Sequence, residues 1–387
     1  MTATDDTLLA RVRELAPAIT VRAAEIEQAR RLPADLAASL AALGVFRMLL
    51  PKAYGGLECE PATFCRVLGE LGRADASAGW CAMIGATAAL PAAYMAPEAA
   101  REIFADPATI TGGVFAPMGR AVLEGDNYRV SGRWAWGSGS ANCQWLSGGC
   151  VVLDGGKPRL LANGAPDVRT MFFPAADARL HDTWHVAGLA GSGSGDFEVA
   201  DLLVPARRSL SLITDRPVVA GAVYAFPVFG LLALGIAAVM LGNAQGAIDD
   251  LVRLATARRP AGSNRPLAER AGAQAALAEA TARLRAARAF VLEAIGEAWC
   301  EAKAGRPLET SARAALRLAA THATRTAADV TREMYDLGGG TALFLASPLQ
   351  RRFRDGHAGT QHMMVARQTY ELAGRVLMGV ATDASTL

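Results

Sequence analysis

The sequence predicts an α+β protein in which helices come first, a β domain follows, and a long helical bundle completes the chain. Three observations support this order. Apolar residues recur at helical spacing over the first hundred residues, short strand-like runs rich in Gly, Val and Trp begin near 109, and long helical periodicity returns after 229. We therefore expect three domains, which cover residues 1–108, 109–215 and 216–387.

The amino-terminal region carries several helix signals. Residues 8–31 are amphipathic, and Pro33 occupies the first turn of a second helix, which ends at Gly44. Another helix is predicted for 61–72, and a run of small residues at 77–89 predicts a helix suited to close packing. This region should therefore form a helical domain.

The middle region has the turn and strand signals of a compact antiparallel β-barrel or sandwich. Turn residues lie at 124–127 and 154–156. The predicted strands cover 128–132, 145–153, 159–161 and 197–204.

The carboxyl-terminal region predicts a four-helix bundle. Its expected helices cover 231–258, 267–305, 310–336 and 362–380. Residues 217–248 contain no charged side chain and are long enough to span a membrane. However, the segment contains Pro227 and Asn243, and no basic cluster flanks it. We interpret it as a helix buried in the bundle and expect no membrane association.

Composition narrows the possible partners and the compartment. The formal net charge is only +2, and no dense basic run suggests nucleic acid as the main partner. The 6 cysteines are scattered without a CxxC pair, so no metal site is expected. The first residues are polar and charged, which does not resemble a secretory signal. A cytoplasmic location is predicted.

Two segments of the β region have both a structural and a functional interpretation. The glycine-rich stretch 188–195 precedes a strand rather than a helix, so it lacks the helix start of a dinucleotide site. It is either a β-turn or a loop that brings backbone N–H groups to a planar ligand. Likewise, Trp134, Trp136 and Ser138 are either core and turn residues or a wall beside a flat cofactor.

A third segment, 351–364, contains His357 and His362 among aliphatic residues. An imidazole in such surroundings can be desolvated, which changes its pKa. The structural interpretation is a surface helix in which Arg354, Asp355 and His357 make solvated pairs while His362 packs against its neighbours. His181 and His185 are either ligand contacts or surface strand residues, and His322 is expected on a bundle face.

Taken in order, these motifs resemble the acyl-CoA dehydrogenase superfamily over nearly the whole chain. The matching motifs are Trp136-Gly137-Ser138, the Gly-Ser-Gly-Ser at 191–194 before 201–205, and the Leu-Gly-Gly-Gly at 337–340 before Arg354-Asp355. The resemblance implies a flavin site and a homotetramer. The implied flavin contacts are Trp136, Ser138, Gly139, Ser192, Gly193 and Ser194, with Arg258, Gly338 and Gly339 reaching a neighbouring protomer's flavin.

The chain departs from the dehydrogenases where they need a base. Most members place a carboxylate eight residues after the Asp of Arg-Asp, and that position is Met363 here. A minority use the first bundle helix, but 217–248 has no Asp or Glu. A thioether cannot remove a proton, whereas His362 lies next to the missing carboxylate. The chain is thus similar to the branch of two-component flavin-dependent monooxygenases.

That resemblance implies an oxygenase component that uses reduced flavin (FMNH2 or FADH2) and O2 to hydroxylate an aromatic, phenolic small molecule. A separate NAD(P)H:flavin reductase would supply the flavin, and its C4a-hydroperoxide would need a dry pocket. Ser138 would hydrogen-bond flavin N5, and His362 would accept the phenolic proton as the general base. The expected substrate-lining residues are Trp80, Phe115, Tyr224, Phe226 and Phe229, and the alternative for the same residues is an ordinary core.

Other functions are compatible with the same residues. An N-oxygenase of amino sugars or an S-oxygenase would share this fold. An acyl-CoA dehydrogenase with a relocated base is a third possibility. A helical scaffold that has lost flavin chemistry is the alternative without catalysis.

Overall fold

The computed structural model describes residues 3–257, 259, 265–385 and 387. The amino-terminal segment is helical, as predicted, and Pro61 and Pro97 each occupy a first helical turn, where no N–H partner is lost. Its helices are α1 (Ala3–Val21), α2 (Ala23–Ala29), α3 (Ala34–Ala42), α4 (Pro61–Ala74), α5 (Ala76–Ala89) and α6 (Pro97–Ile103).

The middle segment forms one 8-stranded sheet in the order β6-β7-β2-β1-β3-β5-β8, with β4 paired to β3. The strands are β1 (Thr111–Glu124), β2 (Asn127–Trp134), β3 (Trp145–Asp154), β4 (Lys157–Pro158), β5 (Val168–Pro174), β6 (Arg179–His181), β7 (Asp196–Pro205) and β8 (Ser209–Leu210). The α+β class is confirmed. The domain limits at 108 and 215 stay predictions.

Two details of the predicted sheet are wrong. The sheet is mixed, because β1 and β3 pair in parallel, with an irregularity between Val114 and Gly119. Residues 159–161 form no strand and contribute only an isolated bridge from Leu160 to Pro166. The alternation of apolar residues indicates which face of a strand is buried. It does not indicate whether the neighbouring strand runs parallel or antiparallel to it.

The sheet packs around Trp134, which is fully buried and donates from Nε1 to the Gly149 carbonyl at 2.8 Å. Its ring stacks on Phe197 at 5.2 Å. A side chain at Gly119 or Gly148 would meet the indole at 2.4 Å, so these strand positions need glycine. Trp134 is therefore a core residue, as the structural interpretation expected.

The carboxyl-terminal segment is a helical bundle. Its helices are α7 (Ala222–Ala225), α8 (Val228–Ala257), α9 (Ala271–Lys303), α10 (Thr310–Ala342), α11 (Pro348–Gly359) and α12 (Gln368–Leu377). Two stretches, Ala76–Ala93 and Val228–Thr256, are long and apolar enough to cross a membrane, but 94% and 78% of their residues are buried within the protein. This burial agrees with the interpretation of α8 as a core helix.

The end of the bundle differs from the prediction. The helix expected at 362–380 begins only at Gln368, and His362 lies in the connection after α11. The turn expected at the triple glycine is instead a break within α10 at Gly339, where φ is 49°. Glycine reaches this conformation without strain. The chain is therefore kinked at Gly339, and a short helical stretch follows the kink to Ala342.

Helices α4 and α8 approach each other closely through glycine. A side chain at Gly242 of α8 would meet the Gly69 carbonyl oxygen of α4 at 2.1 Å, and one at Gly72 would meet the Val239 carbonyl oxygen at 2.3 Å. Backbone atoms on the opposite helix cannot rotate away as a side chain can. The contact thus joins the first and last helical segments.

We expect Gly242→Ala to destabilise the protein by about 1–3 kcal/mol, the usual cost of overpacking. Gly296→Ala is the matched control, because a methyl group at this mid-helix glycine of α9 would meet nothing within 4 Å. The control should gain roughly 0.5–1 kcal/mol from helix propensity. Urea unfolding measures both. Equal effects of the two substitutions would refute a tight α4–α8 contact.

Candidate functional site

Trp80, Ser138 and His362 meet at one place, although they come from the three segments of the chain. Trp80 lies on α5, Ser138 follows β2, and His362 follows α11. The Trp80 indole Nε1 donates to Ser138 Oγ at 3.1 Å. The edge of the same indole contacts the His362 ring, with centroids 5.8 Å apart. The structure thus brings together three residues that the sequence assigned to catalysis and substrate binding.

Ser138 is attached to the glycine-rich loop by two backbone hydrogen bonds. Gly137 N donates to the Gly195 carbonyl at 2.9 Å, and Gly139 N donates to the Ser192 carbonyl at 2.8 Å. These bonds place the Ser192 and Ser194 hydroxyls directly behind Ser138. All three serine side chains are buried.

The serine hydroxyls form a continuous chain. Ser138 Oγ lies 2.6 Å from Ser194 Oγ, and Ser194 Oγ lies 2.7 Å from Ser192 Oγ. Ser192 Oγ then donates to the Leu189 carbonyl at 2.7 Å. The sequence identified all three serines as flavin contacts, but only the structure reveals that they are bonded in series.

The glycines of the loop have a packing explanation. A side chain at Gly188 would meet the Arg354 carbonyl of α11 at 2.2 Å, and one at Gly191 would meet the Ile26 side chain of α2 at 2.3 Å. Gly193 has a φ of +55°, which favours glycine. The loop is therefore held against two helices, and its glycines permit that approach.

Asp355 fixes the start of this loop. Leu189 N donates to the buried Asp355 carboxylate at 2.6 Å. Burial, reinforced by the nearby Asp75 carboxylate, raises the pKa of Asp355 from its ordinary value of 3.8 to about 7. Burial also raises the pKa of Asp75, which caps α5 through Ala78 N. The expected pairing of Asp355 with His357 is wrong, because the carboxylate binds the loop backbone instead.

Helix α11, which carries Asp355, is anchored by a buried ion pair. Arg352 Nε lies 3.1 Å from Asp250 of α8, and both side chains are almost fully buried. Arg352 also donates to the Gly72 carbonyl at the end of α4. A buried charge that is paired and hydrogen-bonded in this way tolerates little displacement. The Arg354-Asp355 motif identified in the sequence lies on this anchored helix, but it does not include either member of the ion pair.

His362 is held in one neutral form. Its Nδ1 accepts from Met364 N at 3.2 Å, so the ring proton of the neutral form lies on Nε2. Burial, with a smaller effect of the Arg317 charge, lowers the pKa of His362 from 6.5 to about 4. Arg317 itself donates to the Met364 carbonyl and fixes this turn. The imidazole therefore offers an N–H donor near neutral pH.

The position that holds the base in most dehydrogenases offers no acid here. Met363 is 74% exposed. Within the part of the chain that the structure describes, no carboxylate hydrogen-bonds to Trp80, Ser138 or His362. The charged neighbours of the site, Asp355 and Arg317, bond instead to backbone atoms of its loops.

The predicted substrate-lining residues separate into two groups. Trp80 lies in the site, but Tyr224 and Phe226 are buried in the hydrophobic core. The Tyr224 hydroxyl donates to the Leu49 carbonyl at 3.4 Å, and Phe226 packs against Trp299 of α9. For these two, the structure favours the alternative of an ordinary core. Phe115, in the irregular part of β1, and Phe229, at the start of α8, are half-buried.

Other predicted cofactor contacts occupy varied positions. Trp136, two residues before Ser138, is 64% exposed and has a φ of +66°. Gly338 is buried, and a side chain there would meet Leu349. Gly339 forms the break in α10. Arg258 lies outside the described residues.

The remaining histidines lie in structural contacts. His181 pairs with Glu198 across neighbouring strands at 2.8 Å, and the exposed His185 lies near Asp182. His357 Nδ1 donates a hydrogen bond to the Phe353 carbonyl at 3.0 Å, and the His322 ring packs against the Phe290 ring. None of these four rings contacts Trp80 or Ser138 among the described ring and hydrogen-bond contacts.

The comparisons with known proteins cover nearly the whole chain. Residues 2–108 match the acyl-CoA dehydrogenase amino-terminal domain, and residues 234–367 match the carboxyl-terminal domain. An indole-3-acetate monooxygenase of Pseudomonas putida is 35% identical over 92% of this chain and 90% of its own. The flavin-dependent monooxygenase oxygenase subunit HsaA of Mycobacterium tuberculosis is 31% identical over 92% and 91%.

A solved structure is also similar. XiaF from Streptomyces, determined in complex with FADH2 and glycerol, superposes with a TM-score of 0.90 at 25% identity. The match covers 98% of this chain and 96% of that one.

The raised pKa of Asp355 predicts a pH-dependent stability. The folded state favours the neutral carboxyl, so its contribution is fully present below about pH 4 and is lost as the pH rises through about 7. Asp355→Asn keeps an acceptor for Leu189 N but cannot ionise. Relative to this variant, the wild type should lose roughly 4 kcal/mol between these pH values. Denaturant unfolding across the pH range measures the difference, and a constant difference would contradict the raised pKa.

Proposed function

Because this chain belongs to the acyl-CoA dehydrogenase superfamily, in its branch of flavin-dependent monooxygenases, we propose that its substrate is an aromatic small molecule with a phenolic hydroxyl. The chain is an oxygenase component, and its cofactor is reduced flavin, with O2 as the second substrate. The observation that carries the proposal is the contact of Trp80 with both Ser138 and His362.

The residues around Ser138 fit a flavin. Trp136 lies two residues before Ser138 and is largely exposed, and a flat ring can stack against an exposed indole. Ser138 Oγ retains acceptor capacity beyond its bonds to Trp80 and Ser194, which suits an N–H group at the edge of the ring. When bound, reduced flavin would supply two electrons to O2, so that one oxygen atom of O2 is transferred to the substrate and the other leaves as water. We assign Trp136, Ser138 and Gly139 to its binding.

The aromatic substrate would lie between Trp80 and His362. The Trp80 indole offers an apolar surface to an aromatic ring, and the His362 Nε2–H offers one donor to an oxygen substituent. The desolvation that lowers the pKa of His362 also limits the access of water to the half-buried ring, which protects a reactive oxygen donor. Phe115 remains a candidate for the outer wall.

The geometry changes the role that we propose for His362. The sequence suggested a general base, but an imidazole whose Nδ1 bonds to Met364 N has no free nitrogen lone pair in its neutral form. Its pKa near 4 also makes it a weak proton acceptor. We therefore propose that His362 donates a hydrogen bond to the phenolic oxygen and stabilises its ionised form.

Three further features belong to the proposal. A separate flavin reductase supplies reduced flavin by diffusion. The protein is a homotetramer, for which the exposed apolar residues Leu343, Phe344 and Leu345 (68%, 69% and 83% exposed) offer a contact surface. It acts in the cytoplasm, where its 6 free cysteines stay reduced.

The test is reconstitution with a generic flavin reductase, NADH and a panel of phenols and other aromatics. Mass spectrometry should detect a product heavier than its substrate by one oxygen atom, and the label should come from ¹⁸O2. Amino sugars and sulfur heterocycles in the same panel test N- and S-oxygenation. Bleaching of bound oxidised flavin by an acyl-CoA, without oxygen transfer, would instead identify a dehydrogenase. Absence of flavin binding would identify a scaffold.

The donor role of His362 makes a specific prediction. His362→Gln retains an N–H donor, whereas His362→Ala does not. We expect the alanine variant to lose about 10- to 100-fold in product formation, the worth of one hydrogen bond to a charged oxygen. The glutamine variant should keep most activity at saturating substrate. Equal losses in both variants would restore the general-base assignment.

A further inference from the structure

We propose that Ser192 and Ser194 are positioning residues that set the direction of the Ser138 hydroxyl, so that the site selects reduced over oxidised flavin. This inference rests on the proposed function in one respect, namely that flavin N5 lies at Ser138. The observation behind it is the buried series of contacts from Trp80 through the three serines to the Leu189 carbonyl.

Both ends of the series have a fixed role. The Trp80 indole N–H can only donate, and the Leu189 carbonyl can only accept. Between them, each serine hydroxyl owns one proton. Every contact receives a proton only if Ser138 donates to Ser194, Ser194 donates to Ser192, and Ser192 donates to Leu189. Any reversal leaves at least one contact without a proton.

The direction of the series defines what Ser138 can offer to a ligand. Its own proton is committed to Ser194, and one lone pair accepts from Trp80. The remaining lone pair makes Ser138 an acceptor. Reduced flavin carries a hydrogen on N5 and can donate to this lone pair. Oxidised flavin has only a lone pair on N5, so the two acceptors would repel each other.

The three hydroxyls cannot take the proton from flavin N5, because the last group of the series cannot accept a proton. A chain of hydroxyls can pass a proton when its last member accepts one, but the Leu189 carbonyl is a neutral amide. This carbonyl also accepts from Trp184 Nε1 at 3.1 Å and from Ser192 N at 3.0 Å. The series therefore stabilises the N5–H bond of reduced flavin and gives its proton no exit.

The loop that carries the acceptor is rigid. Leu189 N is bonded to the buried Asp355, and Gly139 N holds the Ser192 carbonyl. Oxidised flavin can receive a proton from Ser138 only if one contact of the series is left without a proton, at Ser194 or further along. Loss of one neutral hydrogen bond corresponds to a roughly three- to tenfold change in affinity.

The experiment compares the dissociation constants of oxidised FAD and of dithionite-reduced FAD in anaerobic titrations of the apoprotein. The wild type should bind reduced FAD more tightly. Ser194→Ala cuts the series and frees the Ser138 proton, so the ratio of the two constants should fall by roughly three- to tenfold. The fall should come mainly from tighter binding of oxidised FAD. Ser192→Ala should act in the same direction.

Two variants separate this role from a general structural one. Ser194→Thr keeps a hydroxyl and should restore the wild-type ratio. Ser147→Ala is the matched control, because Ser147 is a buried serine that donates to the Gly112 carbonyl outside the series. The ratio of the dissociation constants of oxidised and reduced FAD should not change in this variant. Circular dichroism and thermal melting establish that each variant is folded, and the threonine variant provides the comparison if alanine at 194 is unstable.

An unchanged ratio in folded Ser194→Ala, or equal affinity of the wild type for both flavins, would overturn the inference. Its failure is distinguishable from failure of the proposed function, because oxygen transfer by the wild type is measured separately. If the serine variants change the ratio of dissociation constants as expected but no aromatic compound is hydroxylated, the selection of reduced flavin is supported and the proposed substrate is wrong.

Discussion

The hydrogen bond from the Trp80 indole to Ser138 is the contact on which the site depends. It joins the first helical segment to the β sheet, and the same indole contacts His362, which follows α11 of the helical bundle. One side chain therefore sets the spacing between the flavin edge and the substrate oxygen in the proposed function. A loss of this contact would separate groups that no local segment of the chain holds together.

Close packing supports this contact from behind. Glycines at 188 and 191 let the serine loop lie directly on α11 and α2, and Asp355 binds the loop backbone at Leu189. The buried Arg352–Asp250 pair fixes α11 in turn. The closely packed backbones and the buried ion pair both restrict movement. Separating the backbones would leave a void, and separating the pair would leave a buried charge without a partner, each at a large cost in free energy. The hydroxyl series is consequently held in one geometry.

Much of the outline was predictable. Periodicity identified the helical, β and helical order, and the spacing of Ser138, 191–194 and Arg354-Asp355 indicated the family. Prediction failed where a choice depends on distant neighbours. The parallel pairing of β1 with β3, the core positions of Tyr224 and Phe226, and the non-helical position of His362 all depend on which elements pack together. The roles of the site residues remain proposals.

The sequence by itself determined the chemistry that is possible, because residue type at a motif position is a local property. It placed a methionine where dehydrogenases need a carboxylate, a histidine beside it, and serines at the flavin motifs. Only the tertiary structure decided the protonation pattern. The tautomer of His362 and the direction of the serine series follow from Met364 N, Trp80 and Leu189. The bonds of Ser138 to Trp80 and Ser194 join residues far apart in the chain. The bonds at His362 and Ser192 depend on the local backbone geometry of two turns, which residue type alone does not specify.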